Sequence, residues 1–336
     1  MSKMPSTTLA RLAQCAAGAL ALSLAAGAAN AADKITFGLE WTPQAEFGGF
    51  YQAQADGLYA ANGLDVTIRP GGPQVNTPQL LISGALDMAL AANSFEALNE
   101  VRENIPYVAV AAFYQKDPQI LVSHAEMGFK TLADLKGHPV LIATFARDTF
   151  WAWLKSKYGF TDDQARPYAF SLQPFLADKN LSQQGYLSVE PFLLAAQGVK
   201  PTVFLLSDYG YSPYSNLLMT SKAMVASKPE VIQRFIDASI KGWYGFLKGP
   251  RDKALALIMQ GDPNYKPQNA ADTLGTFAEH GIIDSGDAKT LGIGAMTDAR
   301  WKAFFDDMAA SGVYKRDLDY HAAYTTKFVN KKVGMN

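Results

Sequence analysis

Aromatic residues at the ends of predicted strands are the first group of side chains in this sequence that could grip a flat ring. The set comprises Trp41, Phe47, Phe95, Tyr114, Phe145, Trp151, Tyr186, Tyr209 and Tyr211. Stacking a planar ring between aromatic faces adds about 0.5–1.5 kcal/mol per pair beyond the area that is buried. Core packing explains any single one of these rings equally well, so the hypothesis concerns the set.

A carboxylate, Glu190, is the second candidate group. It lies in the segment Tyr186-Leu187-Ser188-Val189-Glu190-Pro191, which is typical of a strand end followed by the start of a helix. Its two oxygens could accept from an exocyclic amine and a protonated ring nitrogen, the donors of an aminopyrimidine. An acidic residue in a first helical turn also stabilises the helix through its dipole. Both roles remain open for Glu190.

Polar residues at predicted helix starts form a third group, because free backbone N–H groups there accept anions or carbonyl oxygens. They are Asn76, Thr77, Ser94 and Thr144. Arg147, close to Trp151, would suit a sulfonate, phosphate or carboxylate tail. Plain capping and a solvated arginine are the structural alternatives. The predicted ligand contacts are Trp41, Phe47, Asn76, Ser94, Phe95, Tyr114, Thr144, Arg147, Trp151, Tyr186, Glu190 and Tyr211.

Alternating strands and helices must position these side chains. Short apolar runs predict strands at 35–39, 65–69, 87–91, 107–113, 119–123, 140–143, 168–170, 184–187, 202–205 and 216–220. Apolar residues at helical spacing predict a first helix over 47–61 and four last helices over 228–247, 251–260, 267–279 and 297–311. This alternation predicts an α/β architecture with mostly parallel sheets covered by helices.

The order of the elements predicts two α/β lobes joined by two chain crossings, near 115–118 and 212–216. We expect residues 33–116 and 216–336 to form a discontinuous first lobe wrapped by the C-terminal helices, and residues 117–215 to form the second. Two lobes with two crossings enclose a cleft. Closure about a hinge would then exclude water from a captured ligand.

The first residues predict export. Lys3 and Arg11 precede an apolar stretch from Leu12 to Ala29, and Ala29-Asn30-Ala31 fits the small-x-small cleavage rule. This pattern is typical of a signal peptide over 1–31 and therefore of a periplasmic protein. The only cysteine, Cys15, lies inside this segment, so the mature chain would have no disulfide and no thiolate nucleophile. The formal net charge of −1 gives no basic surface for nucleic acid.

The sequence also argues against catalysis. The four histidines, His124, His138, His280 and His321, are too far apart in the chain to predict a metal site. No GxSxG or phosphate-binding loop motif occurs. We therefore expect a binding protein without metal or cofactor, and not an enzyme.

Several short motifs resemble the NMT1/THI5-like family, mostly periplasmic solute-binding proteins of ABC importers. They are Trp41-Thr42-Pro43, Gly49-Phe50-Tyr51, Gly57-Leu58-Tyr59, Asn62-Gly63-Leu64-Asp65-Val66, Gln79-Leu80-Leu81-Ile82-Ser83-Gly84-Ala85-Leu86-Asp87 and Val189-Glu190-Pro191-Phe192. The resemblance covers roughly residues 34–250. It implies a two-lobed type II periplasmic binding protein with a ligand cleft, acting as a monomer that delivers its ligand to an ABC permease in the inner membrane.

The resemblance also implies a planar heteroaromatic ligand. A thiamine-precursor pyrimidine, such as a hydroxymethyl- or formylamino-pyrimidine, is the first expectation; a flavin or other aromatic is the second, and an alkylsulfonate- or nitrate-type anion the third. In the family, the tryptophan that Trp41 matches lines the ligand site, and a carboxylate near the Glu-Pro motif is a candidate partner for the pyrimidine edge. Glu46 departs from the family pattern, which has asparagine- or histidine-type residues there.

Two other classes share this fold. The yeast-type THI5 proteins of the superfamily synthesise the pyrimidine with a cysteine-rich iron motif, which the mature chain would lack. A periplasmic sensor module is the other alternative.

Overall fold

A computed structural model describes residues 31–335, and within them ten strands form two sheets. The predicted signal peptide lies outside the described residues except for Ala31. The strands are β1 Asp33–Gly38, β2 Leu64–Arg69, β3 Met88–Asn93, β4 Tyr107–Tyr114, β5 Gln119–His124, β6 Val140–Ile142, β7 Ala165–Pro167, β8 Ser182–Tyr186, β9 Pro201–Leu205 and β10 Ser215–Ser221. One sheet has the order β2-β1-β3-β10-β4 and the other β7-β6-β8-β5-β9. These two sheets confirm the predicted α/β architecture of two lobes.

Helices connect the strands and cover the sheets. They are α1 Gly48–Ala55, α2 Leu58–Ala61, α3 Thr77–Ile82, α4 Ser94–Arg102, α5 Phe150–Tyr158, α6 Gln173–Ala177, α7 Glu190–Ala196, α8 Lys222–Ser227, α9 Pro229–Lys248, α10 Asp252–Gly261, α11 Pro267–His280, α12 Ala288–Leu291 and α13 Asp298–Ala310. Among these residues, no helix is both long enough and apolar enough to cross a bilayer.

The sheets are mixed, which corrects the expectation of mostly parallel sheets. Strand β1 runs parallel to β2 and β3, whereas β10 runs antiparallel to β3 and β4. In the second sheet β6 is parallel to β7 and β8, and β5 is antiparallel to β8 and β9. The antiparallel pairs arise because the chain enters each sheet from the other one, at β5 and β10, and reverses direction as it does so.

Two crossings join the sheets, between β4 and β5 and between β9 and β10. A buried polar cluster ties them together. The Asn93 side-chain amide at the end of β3 donates to Asp117 Oδ2 at 3.0 Å and to the Tyr211 hydroxyl at 3.2 Å. Asp117 Oδ1 accepts from the backbone N–H of Gln119 at 2.8 Å. Both crossings are therefore fixed to the same strand end of the first sheet.

Close helix packing in the first lobe depends on two glycines. A Cβ on Gly49 in α1 would lie 2.1 Å from Cγ of Trp243, and one on Gly242 in α9 would lie 2.2 Å from the carbonyl oxygen of Gly49. Larger side chains at either position would therefore push α1 and α9 apart. The contact brings Phe50 against Trp243 and holds the segment that follows β1 in place.

Some element boundaries differ from those predicted. The helix predicted over 47–61 is two helices, because Gly57 lies in the left-handed region at φ 69° and breaks it. The strand predicted at 168–170 occurs at 165–167 instead, and Tyr168 and Phe170 lie in the loop that follows. Helices α8 and α12 were not predicted; each is short, at six and four residues.

Candidate functional site

A cavity of about 570 Å³ lies between the two sheets. First-sheet strands and the loops beside them contribute Trp41, Glu46 and Asn216, and the second sheet contributes Gln119 and Gln184. Its full lining is Glu40, Trp41, Gln44, Glu46, Phe47, Gly72, Pro73, Gln74, Val75, Asn76, Thr77, Pro78, Leu90, Ala92, Glu96, Gln119, Phe145, Tyr168, Phe170, Gln184, Gly185, Tyr186, Val189, Glu190 and Asn216. The volume lies within the range of about 300–1,000 Å³ that is typical of small-molecule sites.

Aromatic rings from both lobes meet at this cavity. The Trp41 ring follows β1, and its centroid lies 4.6 Å from that of Phe170 in the loop after β7. Phe170 also contacts Tyr168 at 5.1 Å and lies nearly parallel to Phe145 at 6.3 Å. Phe145 and Phe170 are 53% and 36% exposed, so the cluster combines buried and solvent-facing rings. Planar faces are therefore available to a ligand at the point where the lobes approach each other.

Glu190 lines the cavity but already accepts two hydrogen bonds. Its Oε2 accepts from the backbone N–H of Tyr186 at 2.5 Å, and its Oε1 accepts from the Tyr168 hydroxyl at 3.4 Å. Burial raises the pKa of Glu190 to about 7. Gly185 makes room for it, because a Cβ at that position would lie 2.8 Å from Cγ of Glu190. Glu190 therefore lies at the start of α7, has two hydrogen-bond partners within the protein and borders the cavity, and its role in ligand binding stays a prediction.

Glu46 is a second lining carboxyl and joins the two lobes. It is 4% exposed, and its Oε1 accepts from the hydroxyl of Ser188, which follows β8, at 2.6 Å. The Thr273 hydroxyl of α11 contacts the same oxygen at 3.5 Å. Within the described residues Oε2 has no hydrogen-bond partner. Burial raises the pKa of Glu46, and the bonds from Ser188 and Thr273 partly oppose this.

Two further carboxyls, Glu40 and Glu96, line the cavity. Burial raises the pKa of Glu40 well above its usual value, with the charges of Glu96 and Asp117 adding to the effect. Burial raises the pKa of Glu96 to about 7, against a hydrogen bond from the backbone N–H of Ala92. No lysine, arginine or histidine occurs in the described lining. The cavity therefore favours ligands that are neutral or cationic and carry hydrogen-bond donors.

Five of the predicted ligand contacts lie together in the lining. They are Trp41, Phe47, Asn76, Tyr186 and Glu190. The other seven do not line the cavity: Ser94, Phe95, Tyr114, Thr144, Arg147, Trp151 and Tyr211. Thr77, also considered, is in the lining, and Tyr209 is not.

The aromatic members of the seven are packed elsewhere. Phe95 and Tyr211 stack at 6.0 Å in the core, and Trp151 donates its indole N–H to Asp162 at 2.9 Å. The Tyr114 hydroxyl donates to the carbonyl oxygen of Glu46 at 2.5 Å, behind the lining. Each of these rings is fully buried, so core packing accounts for them in this structure.

The polar members of the seven have local partners or face solvent. Ser94 accepts from the backbone N–H of Tyr214 at 3.0 Å. Arg147 lies 3.9 Å from Asp162, and the Arg147 and Thr144 side chains lie on an exposed 3₁₀ segment. The anion-binding set proposed from sequence is therefore not assembled around this cavity.

Sequence reasoning did not select several lining residues. Phe145 belongs to the predicted aromatic set but not to the predicted contacts, and Glu40 and Glu46 lie on either side of Trp41 in the chain, a signal that could have found them. Tyr168 and Phe170 were assigned to a strand. Asn216 lies on β10 and Glu96 on α4, far apart in the chain, and only the fold brings them to the same cavity. No pattern in the sequence therefore indicates either residue. Among residues 31–335, no group of His, Cys, Asp and Glu side chains could hold a metal ion.

Two α/β lobes with a cavity between them are the architecture of solute-binding proteins of the kind that serves ABC importers. The chain belongs to the NMT1/THI5 like family, whose model matches residues 44–253. This confirms the family resemblance read from the sequence.

Named relatives support the same class. The chain is 25% identical over 309 residues to a riboflavin-binding protein, RibY, of Chloroflexus aurantiacus, covering 88% of this chain and 86% of the relative. It is 26% identical over 244 residues to a formylaminopyrimidine-binding protein of Halalkalibacterium halodurans, covering 70% of this chain and 73% of the relative. Both of these relatives are binding proteins, the class of protein that was expected from the sequence.

The fold is also seen in a solved structure. The periplasmic aliphatic sulphonate binding protein SsuA of Escherichia coli superposes with a TM-score of 0.64 at 14% identity, covering 87% of this chain and 91% of that one. At this identity the likeness concerns the fold alone.

Proposed function

We propose that this protein captures a planar nitrogen heteroaromatic in the cavity between its lobes and presents it to an ABC permease. The observation that carries the proposal is the lining: aromatic rings from both lobes together with four carboxyl groups, Glu40, Glu46, Glu96 and Glu190, and no basic side chain in its described part. Flat rings stack on aromatic faces, and carboxyl groups accept N–H and O–H bonds.

Charge argues against the anionic ligand that was the third expectation from sequence. A sulfonate or nitrate in this cavity would meet buried carboxyls and no cation in the described lining. An anion that is buried without a cation beside it is costly, whether the carboxyls around it are charged or neutral. The likeness to a sulphonate-binding fold therefore does not extend to the chemistry of the site.

Within the proposed class, the cavity volume favours a flavin over a single-ring pyrimidine. A cavity of about 570 Å³ suits a fused three-ring system with a polyol chain better than one small ring. The riboflavin-binding relative also aligns with a larger share of this chain than the formylaminopyrimidine-binding one does. We therefore place the flavin first and the thiamine-precursor pyrimidine second, which reverses the order expected from sequence.

The pyrimidine remains a specific second candidate because of the carboxyls. An aminopyrimidine binds a carboxyl most strongly when one proton is shared between them. Glu96 and Glu190, with pKa values raised to about 7, can supply or accept that proton near neutrality. A flavin has no ring nitrogen of comparable basicity, so the two ligands should differ in the pH dependence of binding.

We further propose that the mature protein is a periplasmic monomer, with one lobe formed by residues 33–116 and 216–336 and the other by residues 117–215. The signal-peptide pattern of the sequence and the periplasmic relative of similar fold support this location.

A thermal-shift panel tests the function. Riboflavin, FMN, 4-amino-5-hydroxymethyl-2-methylpyrimidine, its formylamino counterpart and ethanesulfonate would each be added to the mature protein. A ligand at about 100 times its Kd adds roughly 2.7 kcal/mol to the free energy of unfolding. We expect a flavin or an aminopyrimidine to raise the melting temperature and ethanesulfonate to leave it unchanged; stabilisation by the sulfonate alone would refute the proposal.

A further inference from the structure

Asn216, near the start of β10, is a buried polar residue in the cavity lining, and its side-chain amide is not paired by the secondary structure around it. The residue is 1% exposed, and neither its amide nitrogen nor its amide oxygen has a hydrogen-bond partner in the described part of the chain. A buried amide left unpaired costs about 1–3 kcal/mol. Such a cost is expected where a ligand supplies the missing partners.

The backbone at Asn216 is also unusual. Its φ of 51° lies in the left-handed region, which side chains other than glycine and asparagine seldom adopt. Asparagine and glycine are therefore the residue types that this backbone position accepts at little cost. Here β10 is fixed on both sides, since Ser215 pairs with Asn93 of β3 and with Tyr114 of β4.

Tyr114 is a neighbour of this amide, but it offers no proton to the amide oxygen. Burial raises the pKa of Tyr114 well above its usual value, and the interaction with the Asn216 side chain partly opposes this effect. The Tyr114 hydroxyl, opposite Ser215 in the ladder, gives its proton to the carbonyl oxygen of Glu46. Glu46 Oε2 itself has no partner among the described residues. The amide oxygen of Asn216 and Oε2 of Glu46 are therefore acceptors in the cavity lining that no donor of the described chain satisfies.

We propose that Asn216 is a specificity-determining residue that recognises a particular edge of the ligand ring. That edge carries a hydrogen-bond acceptor next to an N–H donor. The amide oxygen accepts from the ring N–H, and the amide NH₂ donates to the adjacent carbonyl oxygen or ring nitrogen. Cyclic amides and amidines present this edge, as the N3–H and carbonyl of a flavin or the amino group and ring nitrogen of an aminopyrimidine do. The assignment rests on the proposed function.

A matched pair of glycine variants tests the assignment. Asn330 also has a left-handed backbone, at φ 64°, but its side-chain amide is fully paired with the backbone of Met296. The Met296 N–H donates to the Asn330 amide oxygen at 3.2 Å, and the Asn330 amide nitrogen donates to the Met296 carbonyl oxygen at 2.8 Å. Glycine fits the left-handed region, so Asn216→Gly and Asn330→Gly both remove an amide without adding backbone strain. We expect Asn216→Gly to keep the wild-type melting temperature and Asn330→Gly to lower it.

Binding of riboflavin and of N3-methylriboflavin, which lacks the donor, is then measured for all three proteins. We expect the wild type and Asn330→Gly to prefer riboflavin by at least 10-fold, and Asn216→Gly to bind riboflavin at least 10-fold more weakly with that preference lost. The hydroxymethylpyrimidine and its N,N-dimethylamino analogue serve the same purpose for the second candidate.

The outcomes separate the assignment from the proposed function. If Asn216→Gly binds riboflavin and the pyrimidine as the wild type does, or keeps the preference over the methylated analogues, the assignment of Asn216 is overturned while the function stands. If the wild type binds neither probe, the proposed ligand class fails, and the assignment fails with it.

Discussion

The hydroxyl of Ser188, which follows β8 of the second sheet, donates to Oε1 of Glu46 in the first lobe at a distance of 2.6 Å. Both residues are buried, at 5% and 4% exposure, so the bond joins the lobes inside the protein. Glu46 also lines the cavity. The carboxyl of Glu46 therefore both contacts the opposite lobe and borders the cavity. A change in the distance between the lobes would break this hydrogen bond and alter the cavity lining.

Removing the Ser188 hydroxyl should weaken ligand binding. We expect Ser188→Ala to raise the Kd of the panel's best ligand roughly 5- to 10-fold, because one hydrogen bond is worth about 1 kcal/mol net and this one joins the two lobes beside the cavity. Titration calorimetry measures the effect. Ser182→Ala is the matched control, since Ser182 is fully buried with no partner for its hydroxyl in the described chain. Equal affinity in both variants would contradict the coupling.

The aromatic contact between Trp41 and Phe170 should slow the escape of the ligand. We expect Phe170→Ala to increase the dissociation rate several-fold, because the ring covers the cavity from the second lobe and contacts Trp41 at 4.6 Å. Stopped-flow tryptophan fluorescence during displacement of the bound ligand measures the rate. Phe192→Ala is the control: Phe192 is similarly exposed, at 38%, but is not in the lining. If both variants release ligand equally fast, the ring has no such role.

Glu190 should matter more for binding than for folding. In Glu190→Gln the amide oxygen can still accept from the N–H of Tyr186, so we expect the melting temperature of the unliganded protein to fall little. Aminopyrimidine binding should weaken by about 10-fold or more, because an amide cannot accept with both of its ends. Glu230→Gln, at the exposed first turn of α9, controls for the helix dipole alone. Parallel losses of stability and affinity would assign Glu190 to a structural role.

The buried carboxyls should make the unliganded protein more stable at pH 5 than at pH 8. The pKa values of Glu96, Glu190 and Asp117 are raised to about 7 and that of Glu100 to about 8, mainly by burial. Between the unfolded value near 4.5 and these values, the folded protein binds more protons than the unfolded chain. The stability contributed by the neutral groups is therefore present below about pH 4.5 and is lost as the pH rises through 7 to 8.

Urea unfolding at pH 5, 6, 7 and 8 measures this dependence. We expect the free energy of unfolding to fall by at least about 1 kcal/mol across the range. Glu100 lies outside the cavity lining, and burial raises its pKa to about 8. In Glu100→Gln the free energy of unfolding should therefore fall less steeply with pH between pH 7 and 8. A stability that rises from pH 5 to pH 8 would show that these carboxyls are charged in the folded protein.

Local patterns were enough to predict most elements. The runs at 107–113 and 216–220 predicted β4 and β10, because a strand buried on both faces requires continuous apolar residues. Strand direction did not follow from these patterns. Whether β10 lies parallel or antiparallel to β3 depends on how the chain returns from the other lobe, which hydrophobic spacing does not encode.

The site was less predictable because it is assembled from distant segments. Trp41 could be found from its place after an apolar strand and from the family resemblance. Asn216 could not, since its value lies in being buried without a partner, which only the three-dimensional neighbours reveal. Tyr114 and Phe95 show the opposite error: aromatic residues at strand ends and helix starts also fill cores, and sequence alone does not separate the two uses.

Calorimetric titration of the mature protein with riboflavin, with 4-amino-5-hydroxymethyl-2-methylpyrimidine and with ethanesulfonate at pH 7 tests the central claim most directly. An acidic, aromatic cavity between two lobes predicts saturable 1:1 binding of one of the two heteroaromatics and no heat from the sulfonate. Tight binding of ethanesulfonate, with neither heteroaromatic bound, would contradict the account.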